Sequence, residues 1–414
     1  MSTPRHYDVA VIGGGPAGMT AALRAAERGK SVVLLEKNAK LGKKLDTTGG
    51  GRCNITNAEF DARAFLKHYG AAGKFLHSPL AQFGVQSAFD FFTERGLHLV
   101  VEARKRAFPQ TMCAPDVTTT LLTQLKKTTV IIKTKSSVRQ LRARDGRITE
   151  ALCDGVSYTA DSFVVATGGL SHPETGSTGD GFRWLAELGH TVRPATPSIV
   201  PLKVEDAWVK KLAGTTLPNV KIVFFCEEKR AFAKTGPLLF THFGLSGPTI
   251  LNIAKQVGDL LAVGETTCTI DLFPDIDLGA LDKKILAVSN ANKNKQFINV
   301  LADIVPRGIA NAAFSLLKIP NIDIKAHSFS KEDRRRLVHL LKAMPASIEG
   351  LMGFDRAVVS DGGVILEEVD TRSMRSRIIS NLFLVGDVLH VSRPSGGYSL
   401  QLCWTTGYVA GSNV

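Results

Sequence analysis

The sequence predicts an α/β protein, and three observations support this fold class. A short apolar stretch at 7–12 leads directly into a glycine-rich run at 13–18. An alanine-rich stretch of helical composition follows, and a second apolar stretch at 31–35 ends in Glu36. Near the other end of the chain, 381–387 has the composition of a third buried strand. The order strand, helix, strand at the start is typical of a Rossmann-like βαβ unit.

The glycine-rich run at 13–18 has the spacing G-x-G-x-x-G of a dinucleotide-binding turn. Gly13 permits the tight turn, Gly15 allows a pyrophosphate to approach the backbone, and Gly18 allows close packing of helix on strand. Pro16 suits the first helical turn, where its missing N–H has no intrahelical role. The free N–H groups at this helix start would bind phosphate, so we predict a dinucleotide site here.

Glu36 ends the second strand about 20 residues after the glycines, as the dinucleotide fingerprint requires. A carboxylate at this position accepts hydrogen bonds from ribose hydroxyls. It disfavours a nucleotide with a 2′-phosphate, because two negative groups would meet in a poorly solvated crevice.

The far end of the chain favours FAD over NAD as the bound dinucleotide. Asp387 ends the late strand, where its carboxylate would contact the ribityl chain of a flavin. Backbone N–H groups of Gly397 and Tyr398 would begin the last helix and face the flavin ring. The stretch 162–169 is a further apolar strand ending in small residues, which permit close approach of a ligand. We therefore expect three strand ends to converge on one FAD.

The composition is that of a soluble globular protein. The chain has 414 residues, 44% of them hydrophobic, and its apolar runs fall short of the roughly 18 residues of a membrane span. We recognise no charged-then-apolar leader, so we expect a cytoplasmic protein. The formal net charge of +13 indicates either attraction for anionic ligands or simply a basic surface. Lys and Arg are scattered, which makes nucleic acid an unlikely partner, whereas a small-molecule substrate is expected.

Several side chains have two interpretations that the sequence leaves open. The six cysteines contain no C-x-x-C pair, which excludes a thioredoxin-like motif or a compact zinc site. Cys53 is either a packed thiol or one made reactive by its neighbour Arg52. Arg52 itself either contacts a ligand or forms a surface ion pair. His242 is either a proton donor or acceptor or a structural residue.

Longer ordered strings occur along most of the chain: TGGGRCN at 48–54, ATGGLS at 166–171, GSTGDG at 176–181, LFTHFGLSGP at 239–248 and GGY at 396–398. Together with the glycine run, they resemble the HI0933-like (YhiN/BaiN-type) flavoproteins, a branch of the glutathione-reductase-like FAD fold. The chain departs from this family at two positions. Asp387 stands where relatives commonly have Glu, and Ser399 stands where Asn is usual.

The resemblance implies a Rossmann-like FAD-binding domain with an inserted β-barrel-like domain and a helical insert nested within that. We expect the FAD domain at 1–190 and 355–414, the β-rich insert at 191–275 and 328–354, and the helical insert at 276–327. No second strand–G-x-G-x-x-G–helix unit is present, so NADH or NADPH would have to bind transiently as a reductant.

The sequence assigns no catalytic residue and no metal ligand. The candidate cofactor-binding residues are Gly13, Gly15, Pro16, Ala17, Gly18, Glu36, Lys37, Lys44, Gly51, Arg52, Cys53, Thr167, Gly168, Asp387, Gly397 and Tyr398. The expected function is an FAD-dependent oxidoreductase in which NAD(P)H reduces the flavin and a small organic acceptor, such as an activated double bond, is reduced in turn. The alternatives are an amine oxidase-like enzyme that uses oxygen and a basic flavoprotein that binds nucleic acid. The oligomeric state is not predicted.

Overall fold

The computed structural model describes residues 6–414, which divide into two compact units. Unit 1 comprises the described residues up to Ser198 together with Phe354–Val414, and unit 2 comprises Ile199–Gly353. Unit 2 is therefore an insertion into unit 1.

The first segment of unit 1 contains ten strands and seven α-helices among the described residues. They are β1 (His6–Ile12), α1 (Pro16–Glu27), β2 (Val32–Leu35), α2 (Thr48–Gly51), β3 (Thr56–Asn57), α3 (Ala62–Lys67), α4 (Gly73–Gln82), α5 (Val85–Glu94), β4 (Leu99–Glu102), β5 (Arg106–Pro109), α6 (Ala114–Lys126), β6 (Ile131–Lys133), β7 (Val138–Arg144), β8 (Arg147–Cys153), β9 (Val156–Val165), α7 (Asp180–Glu187) and β10 (Val192–Ser198).

Unit 2 is an antiparallel barrel with helices. Its elements are β11 (Leu202–Val204), α8 (Ala207–Lys211), β12 (Thr216–Cys226), β13 (Lys229–Thr241), β14 (Gly244–Ser246), α9 (Pro248–Leu261), β15 (Thr266–Asp271), α10 (Leu278–Ala291), α11 (Phe297–Leu301), α12 (Arg307–Leu317), α13 (Lys331–Lys342) and β16 (Met344–Leu351). The barrel closes in the order β11-β14-β13-β12-β15-β16, and β16 pairs back on β11. Within α9, the buried residues Ile250, Ile253, Ala254 and Val257 have the spacing of one helical face, which packs on the barrel core.

The last segment returns to unit 1 with β17 (Val359–Val364), β18 (Leu382–Leu384) and α14 (Tyr398–Asn413). The large sheet of unit 1 has the strand order β6-β2-β1-β9-β8-β7, and β18 also pairs with β9. Strands β6, β2, β1, β9 and β18 run parallel to one another. All four residues of β2 are buried, as expected for a strand covered on both faces of a parallel sheet. The predicted fold class is therefore confirmed.

The first and last helices of unit 1 pack against each other at close range. An added Cβ at Gly407 of α14 would overlap the carbonyl oxygen of Ala17 in α1. At Gly411 it would lie 2.5 Å from the carbonyl oxygen of Ala21. Glycine at these two positions thus lets the two helix backbones approach. Of the helices within 6–414, none is long and apolar enough to cross a membrane.

The unit boundaries differ from the predicted ones in two places. β10 pairs with β17 and belongs to unit 1, so the insertion begins after Ser198 and not at residue 191. The helical part of the insert extends to Lys342, because α13 precedes β16, whereas a return to β structure was expected at 328.

Candidate functional site

Three parallel strands end side by side at one edge of the large sheet. Ile12 at the end of β1 pairs with Val165 at the end of β9, and Val165 pairs with Leu384 at the end of β18. Ligands of open α/β sheets bind in the crevice outside such carboxyl ends. Three following segments define the candidate site: the glycine turn (residues 13–18), the 166–169 segment and the C-terminal loop (residues 386–399). The three strand ends thus lie side by side as expected from the sequence, and their convergence on FAD stays a prediction.

The glycine turn has the shape that a diphosphate requires. Gly13 has a φ of 106°, and an added Cβ would lie 2.5 Å from the carbonyl oxygen of Ala166. An added Cβ at Gly18 would overlap the carbonyl oxygen of Gly13, so glycine is needed for α1 to pack on β1. At Gly15 an added Cβ would meet no atom of the described chain within 4 Å. The space in front of Gly15 is therefore open to a ligand.

The start of α1 offers backbone donors to an anion. Gly15 is the N-cap residue, Pro16 begins the helix, and no side chain of the described residues caps the helix start. Uncapped N–H groups and the helix dipole both favour a negative group here. Ala17 and Gly18 are buried, so they could contribute only through their backbone. These features fit the diphosphate of a dinucleotide such as FAD.

Glu36 ties the glycine turn to the end of β2. One carboxylate oxygen accepts a hydrogen bond from the N–H of Gly14 at 2.7 Å. The other accepts from the backbone N–H and the side-chain amide of Asn38, each at 2.7 Å. Glu36 is only 7% exposed. The carboxylate is therefore held rigidly beside the turn, and its contact with a ribose stays a prediction.

Two of the predicted cofactor-binding cations are held in ion pairs. Lys37 Nζ lies 2.9 Å from Asp180 and also donates to a threonine hydroxyl. Arg52 Nη1 lies 2.9 Å from Glu102, and the guanidinium carbon lies 4.3 Å from the ring centroid of Phe108. Both cations thus have protein partners, which for Arg52 matches the ion-pair alternative left open by the sequence.

The glycine loop before Arg52 is open, whereas Cys53 is enclosed. Gly49, Gly50 and Gly51 have φ values of 58°, 67° and 84°, a conformation that few other residues adopt, so the short element α2 is not a regular helix and forms this loop. An added Cβ at Gly51 would meet no described atom within 4 Å. Cys53 has no exposed surface, and burial raises the pKa of its thiol to about 12. Of the two interpretations of Cys53, the structure supports the packed, unreactive thiol.

The 166–169 segment, which follows β9, offers mainly backbone atoms to a ligand. Gly168 has a φ of 75° and lies next to the Ser177 hydroxyl. The Thr167 side chain points at α7, where an added Cβ at Gly181 would overlap its hydroxyl. Both Thr167 and Gly168 keep partial exposure. Their role at a cofactor therefore stays a prediction that involves backbone atoms.

The C-terminal loop contains a buried charge cluster around Asp387. Arg393 Nη2 donates a hydrogen bond to Asp387 Oδ1. Lys44 Nζ donates to both the carbonyl and the hydroxyl oxygen of Ser171, the carbonyl at 3.1 Å. Burial lowers the pKa of Lys44, and the nearby Asp387 carboxylate opposes that shift only in part. Two predicted residues, Lys44 and Asp387, are thus brought into one electrostatic environment.

Arg393 was missed by the sequence analysis. It is an arginine six residues after Asp387, in a segment of mostly apolar and small residues. Its side chain is only 1% exposed. A lone charged residue within such a segment is the one signal that could have identified it.

The start of α14 is packed more tightly than expected. An added Cβ at Gly397 would overlap Thr56. In the amide orientation that satisfies its neighbours, Asn54 Oδ1 lies 2.9 Å from the Gly397 nitrogen and accepts its N–H. That N–H, which the sequence analysis assigned to the flavin, therefore has a protein acceptor. Tyr398 packs with its ring centroid 4.6 Å from that of His68, and burial raises the pKa of Tyr398 to about 12.

His242 lies in unit 2. It is exposed in the turn between β13 and β14, with its ring centroid 4.8 Å from that of Phe243. Both interpretations of His242 remain open. Within residues 6–414, no group of three His, Cys, Asp or Glu side chains could hold a metal ion.

The sequence profile described as the HI0933-like protein Rossmann domain matches residues 7–413. A 3-dehydro-bile acid delta(4,6)-reductase of Clostridium scindens is 30% identical over 97% of this chain and 98% of its own. A ribosomal RNA dihydrouridine synthase of Escherichia coli is 28% identical over 99% of this chain and 98% of its own.

Solved structures with the same fold cover the whole chain. A flavocytochrome c3 fumarate reductase has a TM-score of 0.57 and 17% identity, covering 100% of this chain and 78% of its own. A 3-ketosteroid-delta4-(5alpha)-dehydrogenase of Rhodococcus jostii has a TM-score of 0.55 and 15% identity, covering 100% of this chain and 98% of its own. These likenesses concern the fold alone.

Proposed function

This chain belongs to the HI0933-like family of FAD-dependent oxidoreductases, and we propose that it reduces a carbon–carbon double bond conjugated to a carbonyl group. One observation supports the reaction type. The two relatives that match nearly the full chain are named for a delta(4,6)-reductase and for the formation of dihydrouridine. Saturation of a double bond next to a carbonyl group is the chemistry these two names share.

The residues of unit 1 fit FAD, and we propose how they hold it. The glycine turn and the start of α1 bind the diphosphate, and Glu36 accepts hydrogen bonds from the adenosine ribose. Asp387 accepts a hydrogen bond from the ribityl chain. When bound, FAD would carry a hydride from a reductant to the substrate, and a proton from solvent would complete the saturation of the double bond. The protein contributes position, charge and exclusion of water.

NADH or NADPH serves as the transient reductant in this proposal. The absence of a second G-x-G-x-x-G unit in the sequence supports transient rather than resident binding. Anaerobic mixing of the yellow holoenzyme with NADH or NADPH should bleach the flavin absorbance within seconds. Retention of the oxidised spectrum with both nucleotides would contradict this part of the proposal. Bleaching by an amine instead, with reoxidation by oxygen, would favour the amine oxidase-like alternative.

The substrate is either a small unsaturated ketone or a uracil base in RNA. The scattered basic residues alone did not favour RNA as a substrate. The E. coli relative, together with the formal net charge of +13, makes RNA the second candidate. The reduced holoenzyme should be offered 4-androstene-3,17-dione and, separately, ribosomal RNA transcribed without modification. Mass spectrometry then detects a gain of two hydrogen atoms in the steroid or in a uridine. No gain in either would overturn both candidates.

A further inference from the structure

Arg393 connects three parts of the C-terminal loop. Its Nη1 donates to the carbonyl oxygen of Val391 at 2.6 Å, and its Nε donates to the hydroxyl of Ser399 at 3.0 Å. Its Nη2 donates to Asp387 Oδ1. All three nitrogen atoms of the guanidinium therefore have an acceptor within the loop.

Two of the partners of Arg393 are side chains, those of Asp387 and Ser399. The guanidinium lies between them and bonds to both. One residue that the sequence did not single out thus holds both side chains.

Burial separates the role of Arg393 from that of its partners. The Arg393 side chain is 1% exposed, the Asp387 side chain is 13% exposed, and Ser399 is partly exposed. Atoms that would touch a cofactor must be accessible in the protein alone. Asp387 and Ser399 meet this condition, whereas Arg393 lies behind them.

A buried guanidinium carries a large desolvation penalty unless it is paired with an acceptor of opposite charge. Arginine keeps its charge inside a protein, so its removal would leave Asp387 as a buried carboxylate without that partner. The second cation nearby, Lys44, is held by Ser171 and has a pKa lowered by burial. Arg393 is therefore the permanent positive charge beside Asp387.

We propose that Arg393 is a positioning residue of the cofactor site, which fixes Asp387 and Ser399 so that Asp387 presents Oδ2 to the ribityl chain of FAD. This inference rests on the proposed binding of FAD at Asp387. It assigns Arg393 to the flavin half of the cofactor and leaves the adenosine half to the glycine turn.

The test compares FAD with ADP as ligands of the apoprotein. ADP contains the adenosine and diphosphate of FAD but no ribityl chain. In Arg393→Met, Asp387 loses the hydrogen bond that fixes it and can no longer hold the ribityl chain in place. The dissociation constant for FAD should therefore rise about tenfold or more. The dissociation constant for ADP should change less than about twofold. A general structural defect would weaken both ligands.

Two further variants complete the experiment. Arg95→Met is the matched control, because Arg95 pairs with Glu27 at the opposite end of α1, 3.0 Å apart, and should leave FAD affinity unchanged. Ser399→Ala removes one acceptor without leaving Asp387 unpaired, so it keeps the test open if Arg393→Met does not fold. It should weaken FAD about fivefold and ADP not at all.

The outcomes separate this inference from the proposed function. A wild-type apoprotein that takes up no FAD would overturn both. Wild-type binding of FAD, with Arg393→Met or Ser399→Ala equal to wild type, would overturn only the role of Arg393. Equal losses of FAD and ADP affinity would also overturn it, because Arg393 would then act on the fold as a whole.

Discussion

The glycine turn at residues 13–18 forms its part of the candidate site from backbone shape, whereas the C-terminal loop at 386–399 forms its part from buried charge. In the turn, glycines leave room for close packing at Gly18 and for a ligand at Gly15. In the loop, Arg393 and Asp387 form an ion pair whose side chains are 1% and 13% exposed. The contact at Gly18 lies within the turn itself, whereas the burial of the ion pair depends on the segments that surround it.

This difference has an energetic side. A glycine with a crowded Cβ position tolerates no side chain, and the penalty for a substitution is steric. A buried ion pair balances a large desolvation cost against a large attraction, so losing one partner is far more harmful than losing both. Four predictions test whether shape and charge are separable in this site.

The largest effect is expected for Gly18→Ala. Its Cβ would overlap the carbonyl oxygen of Gly13, so α1 must move away from β1. The free energy of unfolding of the apoprotein should fall by about 3 kcal/mol or more. Urea unfolding followed by circular dichroism measures it. A midpoint equal to that of wild type would show that the turn is less rigid than its packing indicates.

Gly15→Ala should separate ligand shape from folding. Gly15 has φ −78° and ψ −176°, which alanine also adopts, and its Cβ would meet no described atom within 4 Å. Stability of the apoprotein should change by less than about 1 kcal/mol, but FAD and ADP affinity should each fall about tenfold. Fluorescence titration of both ligands checks this. Unchanged affinity would place the diphosphate elsewhere.

Lys44→Met tests the charge in the site through pH. Burial and Arg393 lower the Lys44 pKa below its ordinary value of 10.5, while Asp387, Cys403 and Glu174 raise it without reversing the shift. Between the lowered pKa and 10.5, Lys44 therefore keeps its proton in the unfolded chain and has lost it in the folded chain. Wild-type stability, relative to Lys44→Met, should rise with pH between the lowered pKa and 10.5, by at most about 1.4 kcal/mol per pH unit. A pH-independent difference in urea unfolding would contradict the lowered pKa.

The smallest effect is expected for Arg52→Met. Arg52 and Glu102 are 39% and 31% exposed, and exposed ion pairs contribute at most about 1 kcal/mol. Stability and FAD affinity should both stay close to those of wild type, as in the matched variant Glu102→Gln. A tenfold loss of FAD affinity in Arg52→Met alone would instead make Arg52 a cofactor contact.

Local patterns in the sequence predicted one part of this molecule well. The strand–turn–helix–strand unit from β1 to β2 follows from apolar periodicity and glycine spacing, both properties of neighbouring residues. The insert was expected to begin at residue 191, but β10 pairs with β17, which lies more than 160 residues later in the sequence. A pairing over that distance leaves no trace in a local pattern.

The candidate site shows the same limit at the level of side chains. Lys37 and Arg52 were expected to bind the cofactor, yet their acceptors Asp180 and Glu102 come from other segments. Arg393 was missed because its burial is a property of the fold. The sequence shows which residues are charged, but it does not show which side chain each of them pairs with.

The contact between α1 and α14 has a consequence for how the protein is made. The helix that supports the glycine turn packs on a helix whose residues are synthesised nearly 400 residues later. During synthesis on the ribosome, β1 and α1 therefore emerge long before α14, whereas all strands of the barrel in unit 2 are already available to pair. During that interval the nascent chain exposes the face of α1 that later packs on α14. Chaperones that hold such surfaces, and FAD added during refolding, should both raise the yield of active protein.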